Sequence, residues 1–430
     1  SEAEHASQAK TQFLSTISHD IRTPMNGVLG MTQIAKKHLN DPEYMGECLD
    51  KVSLAGNHLL TLINDILDRL ENTSVSFSSD ELLKRIKAEA LFVRSLIYYN
   101  LIQAFGDVPF PLKVVSVSES YSYLREDKKE IYSHIISDLL SCKEHLPEVY
   151  QGKDIGRITT YAASSILAKI YLTIGEKDLA KIELKRIVDS GKYSLDSNND
   201  GVVDVKDYEY LFLPDTKNCR ESILEIQYLS GVDNVNAQHQ NQYTPFLWSF
   251  HLPGSSETFR GGGKNTPSKD LISEYEENDP RKEISIIFGY QDEGANIWVD
   301  HPYTNKFYDP NWQNPGQNFE IIRYADILLL YSEVTGDASY LNQVRARVGL
   351  SPFGSDLYPK NYNTLALAVE HERRVELAFE FHRFFDLVRN GRALEVFNGK
   401  GFNLSENDIQ FPIPLVEIDI NPALNQNPGY

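Results

Sequence analysis

The sequence predicts a mainly α protein, in which an N-terminal antiparallel helical hairpin precedes an array of paired helices with an irregular, β-containing insertion. Apolar residues recur at three- and four-residue steps over most of the chain, and Gly, Pro, Asn and aromatic residues interrupt this pattern over residues 210–320. The chain also has two compositions. All three Met precede residue 46, all three Trp follow residue 247, and all but one of the 24 Tyr follow residue 75. The polar run at 72–79 therefore predicts a hairpin segment 1–74 joined to a body 75–430.

The hairpin segment is predicted to contain two amphipathic helices. Apolar residues recur from Phe13 to Leu29 and again from Leu49 to Leu70. Asn40 and Asp41 favour a turn between them, and Pro42 suits the start of the second helix. Because an isolated hairpin leaves both apolar stripes half exposed, the pattern favours a homodimer in which two hairpins form a four-helix bundle.

The first helix carries a candidate phosphoacceptor in the run Ser18-His19-Asp20-Ile21-Arg22-Thr23-Pro24. Pro24 cannot donate a hydrogen bond to the carbonyl of Asp20, so the helix is expected to bend after His19 and present its imidazole. Asp20 could hold the proton of one ring nitrogen, which leaves the other to attack a phosphoryl group. Thr23, on the same face as Asp20, could orient a water for the reverse hydrolysis. The alternative is an ordinary surface histidine.

This segment, from Phe13 to Asp68, resembles the dimerisation and phosphoacceptor (HisKA-type) domain of sensor histidine kinases. The resemblance implies that His19 is the phosphorylated residue, Asp20 the assisting acid and Thr23 the residue that acts in dephosphorylation. The sequence shows no ATP-binding domain after residue 74, and the run Gly261–Lys264 lacks phosphate-loop spacing, so no nucleotide site is predicted. Enzyme activity stays open, because His19 could still accept a phosphoryl group in trans.

The body is predicted to hold two sets of paired helices. Helical spacing extends over 81–105, 127–146, 159–174 and 177–190, and then over 324–334, 340–347 and 364–388. The small residues Ala162, Ala163, Ala168 and Ala180 would let paired helices approach closely. The helical repeats at 79–190 and 321–390 thus flank a ligand region at 210–320, which includes a β-type run at 223–226.

Several stretches of the body match one known family. They include Phe105-Gly106-Asp107-Val108-Pro109, Ile322-Arg323-Tyr324-Ala325-Asp326, Glu372-Arg373-Arg374-Val375-Glu376, His382-Arg383-Phe384-Phe385-Asp386 and the tail Asn425-Gln426-Asn427-Pro428-Gly429-Tyr430. Together they resemble the SusD/RagB family of outer-membrane nutrient-binding lipoproteins.

The SusD/RagB resemblance implies a tetratricopeptide-like array that packs against a TonB-dependent transporter, and an irregular region that binds an oligosaccharide at the cell surface without catalysis. The signal peptide and the lipid-bearing Cys of that family are expected to be missing from this sequence, since the hairpin stands in their place. Charged residues in the family motifs, such as Arg323, Asp326, Arg373, Glu376 and Asp386, are interpreted as ion pairs between helices. No catalytic constellation is predicted in the body.

A twelve-residue loop has the spacing of a calcium site. Oxygen-bearing side chains occupy loop positions 1, 3, 5, 9 and 12, glycine occupies position 6, and position 7 would offer a backbone carbonyl. The predicted ligands are Asp196, Asn198, Asp200, Val202, Asp204 and Asp207. The alternative is a solvated Asn/Asp-rich turn.

Aromatic residues in the ligand region are candidates for sugar binding, because aromatic faces stack on the apolar faces of sugar rings. The candidates are Trp298, Trp312, Trp248 and Tyr303, of which Trp298 and Trp312 lie in the most polar context. For any single ring, a place in the core is the simpler alternative. The net charge of −19 argues against nucleic acid as a partner and is compatible with a neutral glycan.

Three hypotheses fit these two parts. The first is a glycan-binding protein with an attached phosphoacceptor segment. The second is a phosphorelay sensor, in which ligand binding by the body controls phosphorylation of His19. The third is that the junction is not a natural gene product and comes from a fusion or a misassembled reading frame. A phosphoacceptor acts in the cytoplasm and a SusD/RagB-like protein acts outside the outer membrane, and one chain without a transmembrane helix cannot serve both compartments.

Overall fold

The computed structural model describes residues 42–72, 79–231, 237, 239–246, 250–251, 261–292 and 294–430, and these ranges form a mainly α structure, as predicted. The helices are α1 (Pro42–Asn72), α2 (Asp80–Phe105), α3 (Val117–Ser120), α4 (Lys128–His145), α5 (Thr160–Thr173), α6 (Lys177–Asp189), α7 (Val205–Tyr210), α8 (His239–Tyr243), α9 (Lys269–Glu274), α10 (Arg281–Ser285), α11 (Tyr324–Thr335), α12 (Ala338–Arg347), α13 (Leu365–Glu376), α14 (Arg383–Arg389), α15 (Ala393–Asn398) and α16 (Leu415–Ile420). The strands are β1 (Val108–Pro109), β2 (Arg125–Glu126), β3 (Ser222–Ile226), β4 (Ile286–Ile287), β5 (Tyr290–Asp292), β6 (Ile297–Val299), β7 (Tyr303–Thr304) and β8 (Phe319–Arg323).

The described residues divide between two compact units. One unit contains the described residues up to Leu146 together with Ala393–Tyr430, and the other contains the described residues within Pro147–Arg392. The proposed join at residues 73–78 lies outside the described residues, so the boundary at 74/75 stays a prediction. Within the described ranges, no helix is both long enough and apolar enough to cross a membrane.

Helix α1 begins at Pro42, as the sequence predicts, and packs against α2 and α16 in the first unit. Its apolar stripe is buried, with Leu49, Val52, Leu59 and Ile63 at most 1 % exposed. The first helix predicted for the hairpin falls within residues 1–41, outside the described ranges.

Polar contacts also fix α1 to the first unit. The side-chain amide of Asn64, which is 1 % exposed, donates to the carbonyl oxygens of Pro111 at 3.1 Å and Lys113 at 3.4 Å. The Ser53 hydroxyl donates to Glu417 of α16 at 2.5 Å. The second helix of the HisKA-like segment is therefore hydrogen-bonded to the SusD/RagB-like part of the chain.

The family motif at the C-terminus closes the first unit around the end of α2. The side-chain amide of Asn427 donates to the carbonyl oxygens of Phe105 at 2.9 Å and Phe411 at 2.6 Å. The backbone N–H of Phe411 in turn donates to the carbonyl of Ala104 at 2.8 Å. The tail therefore satisfies carbonyl groups that the last turn of a helix leaves without partners.

The second unit contains the paired helices α5 and α6; α6 packs against α11, which in turn packs against α12 and α13. Ala162, Ala163, Ala168 and Ala180 are all 0 % exposed, so the small residues lie at close helix contacts, as predicted. The strands form antiparallel pairs β3–β8, β4–β7 and β5–β6. The β-type run at 223–226 is confirmed as part of β3.

The continuous helix predicted over 364–388 is wrong, because α13 ends at Glu376 and α14 begins at Arg383. Phe379 and Phe381 between them have positive φ angles of 70° and 72°. The fully buried Lys306 donates to the carbonyl oxygens of Glu376 at 2.9 Å and Ala378 at 3.0 Å. A cation from a distant segment therefore replaces the hydrogen bonds that a continuing helix would make.

Buried ion pairs hold the second unit together, as interpreted from the family motifs. Arg323 contacts Glu221 at 2.8 Å, Glu376 at 2.5 Å and Glu380 at 2.8 Å, and the side chains of all four are at most 1 % exposed. Other pairs of the motif residues join Arg373 to Asp326 and Asp386, Arg374 to Asp270 and Glu274, Arg383 to Glu370, and Glu372 to Arg281 and Arg345. These charged side chains therefore form ion pairs within the second unit that join one helix to another.

Candidate functional site

The β5–β6 hairpin places one predicted sugar-binding residue at the surface. Trp298 lies on β6, pairs with Gln291 of β5, and is 62 % exposed. At the hairpin tip, the Asp292 carboxylate accepts hydrogen bonds from the backbone N–H groups of Gly294 and Ala295, both at 3.0 Å. An exposed Trp on a strand with a hydrogen-bonded turn offers a flat, positioned apolar face.

Gly289 supports the ring of Trp298. A Cβ atom at residue 289 would lie 2.6 Å from the indole of Trp298 and 2.5 Å from the carbonyl oxygen of Val299. Only glycine therefore lets the indole rest directly against the backbone. This requirement is not visible in the sequence, since an isolated glycine in a Gly-rich region carries no distinguishing signal.

Trp312 and Tyr303 occupy a second layer behind this hairpin. Phe250, Tyr290 and Tyr303 form a buried cluster, against which Val299 and Trp312 pack while partly buried. Tyr303 is 2 % exposed, so its ring supports the cluster and offers little surface to a ligand. Trp312 keeps some exposure and remains a candidate contact, while Trp248 lies outside the described residues.

A separate group of aromatic residues surrounds His239 in the core. Tyr228, Tyr243, Phe307 and Phe319 lie with ring centroids 5.4–6.0 Å from its imidazole. Burial lowers the pKa of His239 to about 3, so the ring is neutral at physiological pH. Tyr243 therefore belongs to the core, in line with the simpler alternative for a single ring.

The predicted calcium loop folds around its own carboxylates. Asp196 accepts backbone hydrogen bonds from Asp200 at 3.1 Å and Gly201 at 3.2 Å. The carboxylate of Asp207 is fully buried and accepts from the backbone of Asn198 at 3.1 Å and Asp204 at 2.9 Å. The carboxylates at the two ends of the loop, Asp196 and Asp207, thus both accept hydrogen bonds from the backbone of the loop.

A neighbouring cation also faces the loop. The guanidinium of Arg220 donates to Asp196 at 3.3 Å and to Asn199 at 2.7 Å. Within the described ranges, no group of three or more His, Cys, Asp or Glu side chains is placed to hold a metal ion. The calcium site therefore stays a prediction, and its ligands would include the Asn198 side chain and the Val202 carbonyl.

His19, Asp20 and Thr23 lie outside the described residues, so their geometry is not part of the structure. The run Gly261–Lys264 is described, and it forms backbone hydrogen bonds to residues 241–245, with Gly262 donating to Asn241 at 2.8 Å. The backbone N–H groups of this run are therefore hydrogen-bonded to carbonyl groups within the fold.

Comparison with known proteins assigns both parts of the chain. The model of the SusD family matches residues 298–430, and a model described as "Starch-binding associating with outer membrane" matches residues 58–172. The His Kinase A (phospho-acceptor) model matches residues 9–73. The chain is a SusD/RagB-like protein with a HisKA-type segment at its start. The second and third matches overlap over residues 58–73, of which 58–72 belong to α1.

Relatives of known sequence give the same two assignments. "SusD-like protein P2" of Formosa agariphila is 25 % identical over 90 % of this chain and 82 % of its own length. "Autoinducer 2 sensor kinase/phosphatase LuxQ" of Vibrio vulnificus is 45 % identical over 67 residues, which are 16 % of this chain and 8 % of that protein. The kinase likeness is therefore confined to the N-terminal segment.

Solved structures confirm the fold. A "Laminarin binding SusD-like protein" superposes with a TM-score of 0.72 at 27 % identity, over 87 % of this chain and 85 % of that one. A SusD superfamily protein from Parabacteroides distasonis superposes with a TM-score of 0.78 at 22 % identity, over 98 % and 99 % of the two chains. This SusD/RagB-like protein thus has the fold of these SusD-like structures.

Proposed function

We propose that this SusD/RagB-like protein binds a neutral oligosaccharide at the outer surface of the outer membrane and delivers it to a TonB-dependent transporter without catalysis. The observation that carries the proposal is the exposed Trp298 face, backed by Gly289 and a packed aromatic cluster that includes Trp312. The laminarin-binding structural relative supports a β-glucan as the first ligand to test.

Isothermal titration calorimetry with a laminarin oligosaccharide tests the site. Trp298→Ala and Trp312→Ala are each expected to weaken binding at least about tenfold, which corresponds to about 1.4 kcal/mol. Tyr121→Ala is the matched control, because Tyr121 is 49 % exposed in the other unit and is expected to leave affinity unchanged. Unchanged affinity in both Trp variants would reject the site, and release of shorter sugars would reject a purely binding role.

The partner and location require a test in cells. If the protein serves a transporter, it should co-purify with a TonB-dependent transporter from detergent-solubilised outer membranes. Cell fractionation should place it with the outer membrane. Recovery in the cytoplasmic fraction alone would contradict this part of the proposal.

A second function is proposed for the N-terminal segment, since the HisKA match includes His19. His19 would accept a phosphoryl group in trans from a separate ATP-binding domain, with Asp20 and Thr23 assisting. The homodimer predicted for this segment would have to form through its first predicted helix, because the apolar stripe of α1 is buried within the chain. Incubation with a competent kinase domain and labelled ATP should label the wild type and leave His19→Gln unlabelled. Equal labelling of both proteins, or of neither, would contradict this function.

We also propose that the loop 196–207 binds Ca²⁺ through Asp196, Asn198, Asp200, Val202, Asp204 and Asp207. Support comes from the loop spacing and from the burial of Asp196 and Asp207. Ca²⁺ should raise the melting temperature of the wild type and should leave that of Asp207→Ala unchanged. The control is Asp300→Ala, which removes an exposed carboxylate outside the loop and should show the same rise in melting temperature as the wild type. An identical Ca²⁺ response in wild type and Asp207→Ala would contradict the site.

A further inference from the structure

The β5–β6 hairpin has two faces with different surroundings. Because successive side chains alternate between the faces of a strand, directly opposite residues of a hairpin share a face. The pair Tyr290–Val299 faces the buried aromatic cluster. The next pair, Gln291–Trp298, therefore lies on the other face, and both of its side chains are exposed. We call this outer face, together with Gly289, the hairpin platform.

The Trp298 indole lies over the diagonal neighbour of residue 298 on the platform. A Cβ atom at Gly289 would be 2.6 Å from Cζ2 and 2.8 Å from Cε2 of the indole, so the ring rests against the backbone that leads into β5. Trp298 is nevertheless 62 % exposed. The ring is therefore supported from the protein side and open to a ligand from the solvent side.

Gln291 places a polar group beside this ring. Directly opposite residues of an antiparallel pair have Cβ atoms about 4.5–5.5 Å apart, so the Gln291 side chain is long enough to reach a sugar that lies on the indole of its cross-strand partner. The amide offers one oxygen acceptor and two N–H donors. Since a hydroxyl group both donates and accepts, one amide can bind two neighbouring hydroxyl groups of a sugar.

The amide of Gln291 is only weakly engaged within the hairpin. Its Nε2 donates to Oδ1 of Asn296 at 3.4 Å, and both residues are exposed. Typical N–H···O hydrogen bonds are about 2.9–3.0 Å long, so this contact is a long one that water competes with. A sugar hydroxyl would therefore replace it at little cost.

The stacking geometry decides which hydroxyl groups reach Gln291. A pyranose that stacks on an indole turns its C–H groups towards the ring, so its equatorial hydroxyl groups point sideways, towards residues beside the indole. An axial hydroxyl points at the indole or into solvent, away from the neighbouring amide. A sugar with adjacent equatorial hydroxyl groups, such as glucose, therefore makes both contacts at once, whereas the axial hydroxyl of galactose does not.

We infer that Gln291 hydrogen-bonds the equatorial hydroxyl groups of a sugar residue stacked on Trp298, and that this contact makes the site selective for glucose-configured glycans. The inference deepens the proposed function and rests on it, because it requires a glycan at Trp298. Trp298 would supply affinity for either sugar, and Gln291 would supply the difference between them.

Isothermal titration calorimetry with a β-1,3-linked glucose trimer and a galactose trimer of the same linkage tests the inference. The wild type should bind the glucose trimer more tightly. Gln291→Ala and the similarly sized Gln291→Met should each weaken its binding about three- to tenfold, as expected for one net hydrogen bond, and should bring the two affinities close together. Met keeps the length of the side chain, so agreement between the two variants assigns the loss to the amide.

The matched control is Gln151→Ala, which removes an exposed amide of the same unit outside the hairpin and should keep both affinities. Trp298→Ala should weaken binding of both trimers.

Two results distinguish this inference from the proposed function. If Trp298→Ala loses the glucose trimer while both Gln291 variants keep the affinity and the preference of the wild type, the inference is overturned and the proposed function stands. Equal affinity of the wild type for the two trimers also overturns the inference alone. If the wild type binds neither trimer, the inference fails together with the proposed glucan site.

Discussion

Replacement of Arg323 is the sharpest test of how the second unit is stabilised. Its guanidinium, 1 % exposed, contacts three buried carboxylates and also donates to the carbonyl oxygen of Glu376 at 2.8 Å. In Arg323→Met, Glu221 keeps Arg347 at 2.6 Å and Glu380 keeps Lys306 at 2.7 Å, but the cluster loses one of its cations. Breaking a buried ion pair from one side typically costs about 3–5 kcal/mol, and we expect a loss of that size.

Urea denaturation followed by tryptophan fluorescence measures this loss, because all three Trp residues lie within 147–392. Arg323→Lys keeps the charge and loses the forked set of donors of the guanidinium. Its free energy of unfolding should therefore lie between those of wild type and Arg323→Met. Lys192→Met is the control. It removes the exposed Lys192–Glu148 pair of the same unit, 43 % and 58 % exposed, and should cost less than about 1 kcal/mol. If Arg323→Met stays within about 1 kcal/mol of wild type, the ion network does not stabilise this unit as argued.

Three further predictions follow from single contacts. Burial, with the facing Glu225, raises the pKa of Glu320 well above its ordinary value, so the stability that protonated Glu320 contributes at low pH is lost as pH rises through the folded pKa. Glu320→Gln should remove this pH-dependent contribution when melting temperatures are measured from pH 5 to 9. The same pH dependence of the melting temperature in wild type and variant would contradict the prediction. Asn64→Ala removes the two hydrogen bonds that this buried amide donates and should cost about 1–3 kcal/mol in denaturation monitored by circular dichroism, unlike the exposed Asn57→Ala. Gly289→Ala should displace the Trp298 ring, shift its fluorescence and weaken glycan binding, and an unchanged spectrum would count against the contact.

Much of the helical structure follows from local sequence. Pro42 begins α1 and Phe105 ends α2, because proline suits a helix start and Gly106, with a φ of 73°, suits the position after a helix end. The interruption after Glu376 could not be predicted in this way. It depends on Lys306 and Arg323, which lie 70 and 53 residues away in sequence and reach the carbonyl of Glu376 only in the folded unit.

The candidate sites likewise combine features that are visible in the sequence with features that only the folded chain creates. The calcium loop is visible as spacing, since its predicted ligands lie within twelve consecutive residues, whereas the contact of Arg220 with Asp196 requires the fold. Aromatic composition identifies a region and does not separate the exposed Trp298 from the buried Tyr303.

Helix α1 sets a condition on how the two parts of this chain could have been joined by recombination. Residues 58–73 match a phosphoacceptor domain and a starch-binding family at once. If this helix came from a kinase gene, it had to present an apolar stripe to α2 and an amide at residue 64 to the carbonyl groups of Pro111 and Lys113. Excising the kinase-like portion at residue 74 would therefore remove a packed helix from the SusD/RagB-like body, and a stable fragment should retain residues from 42 onward.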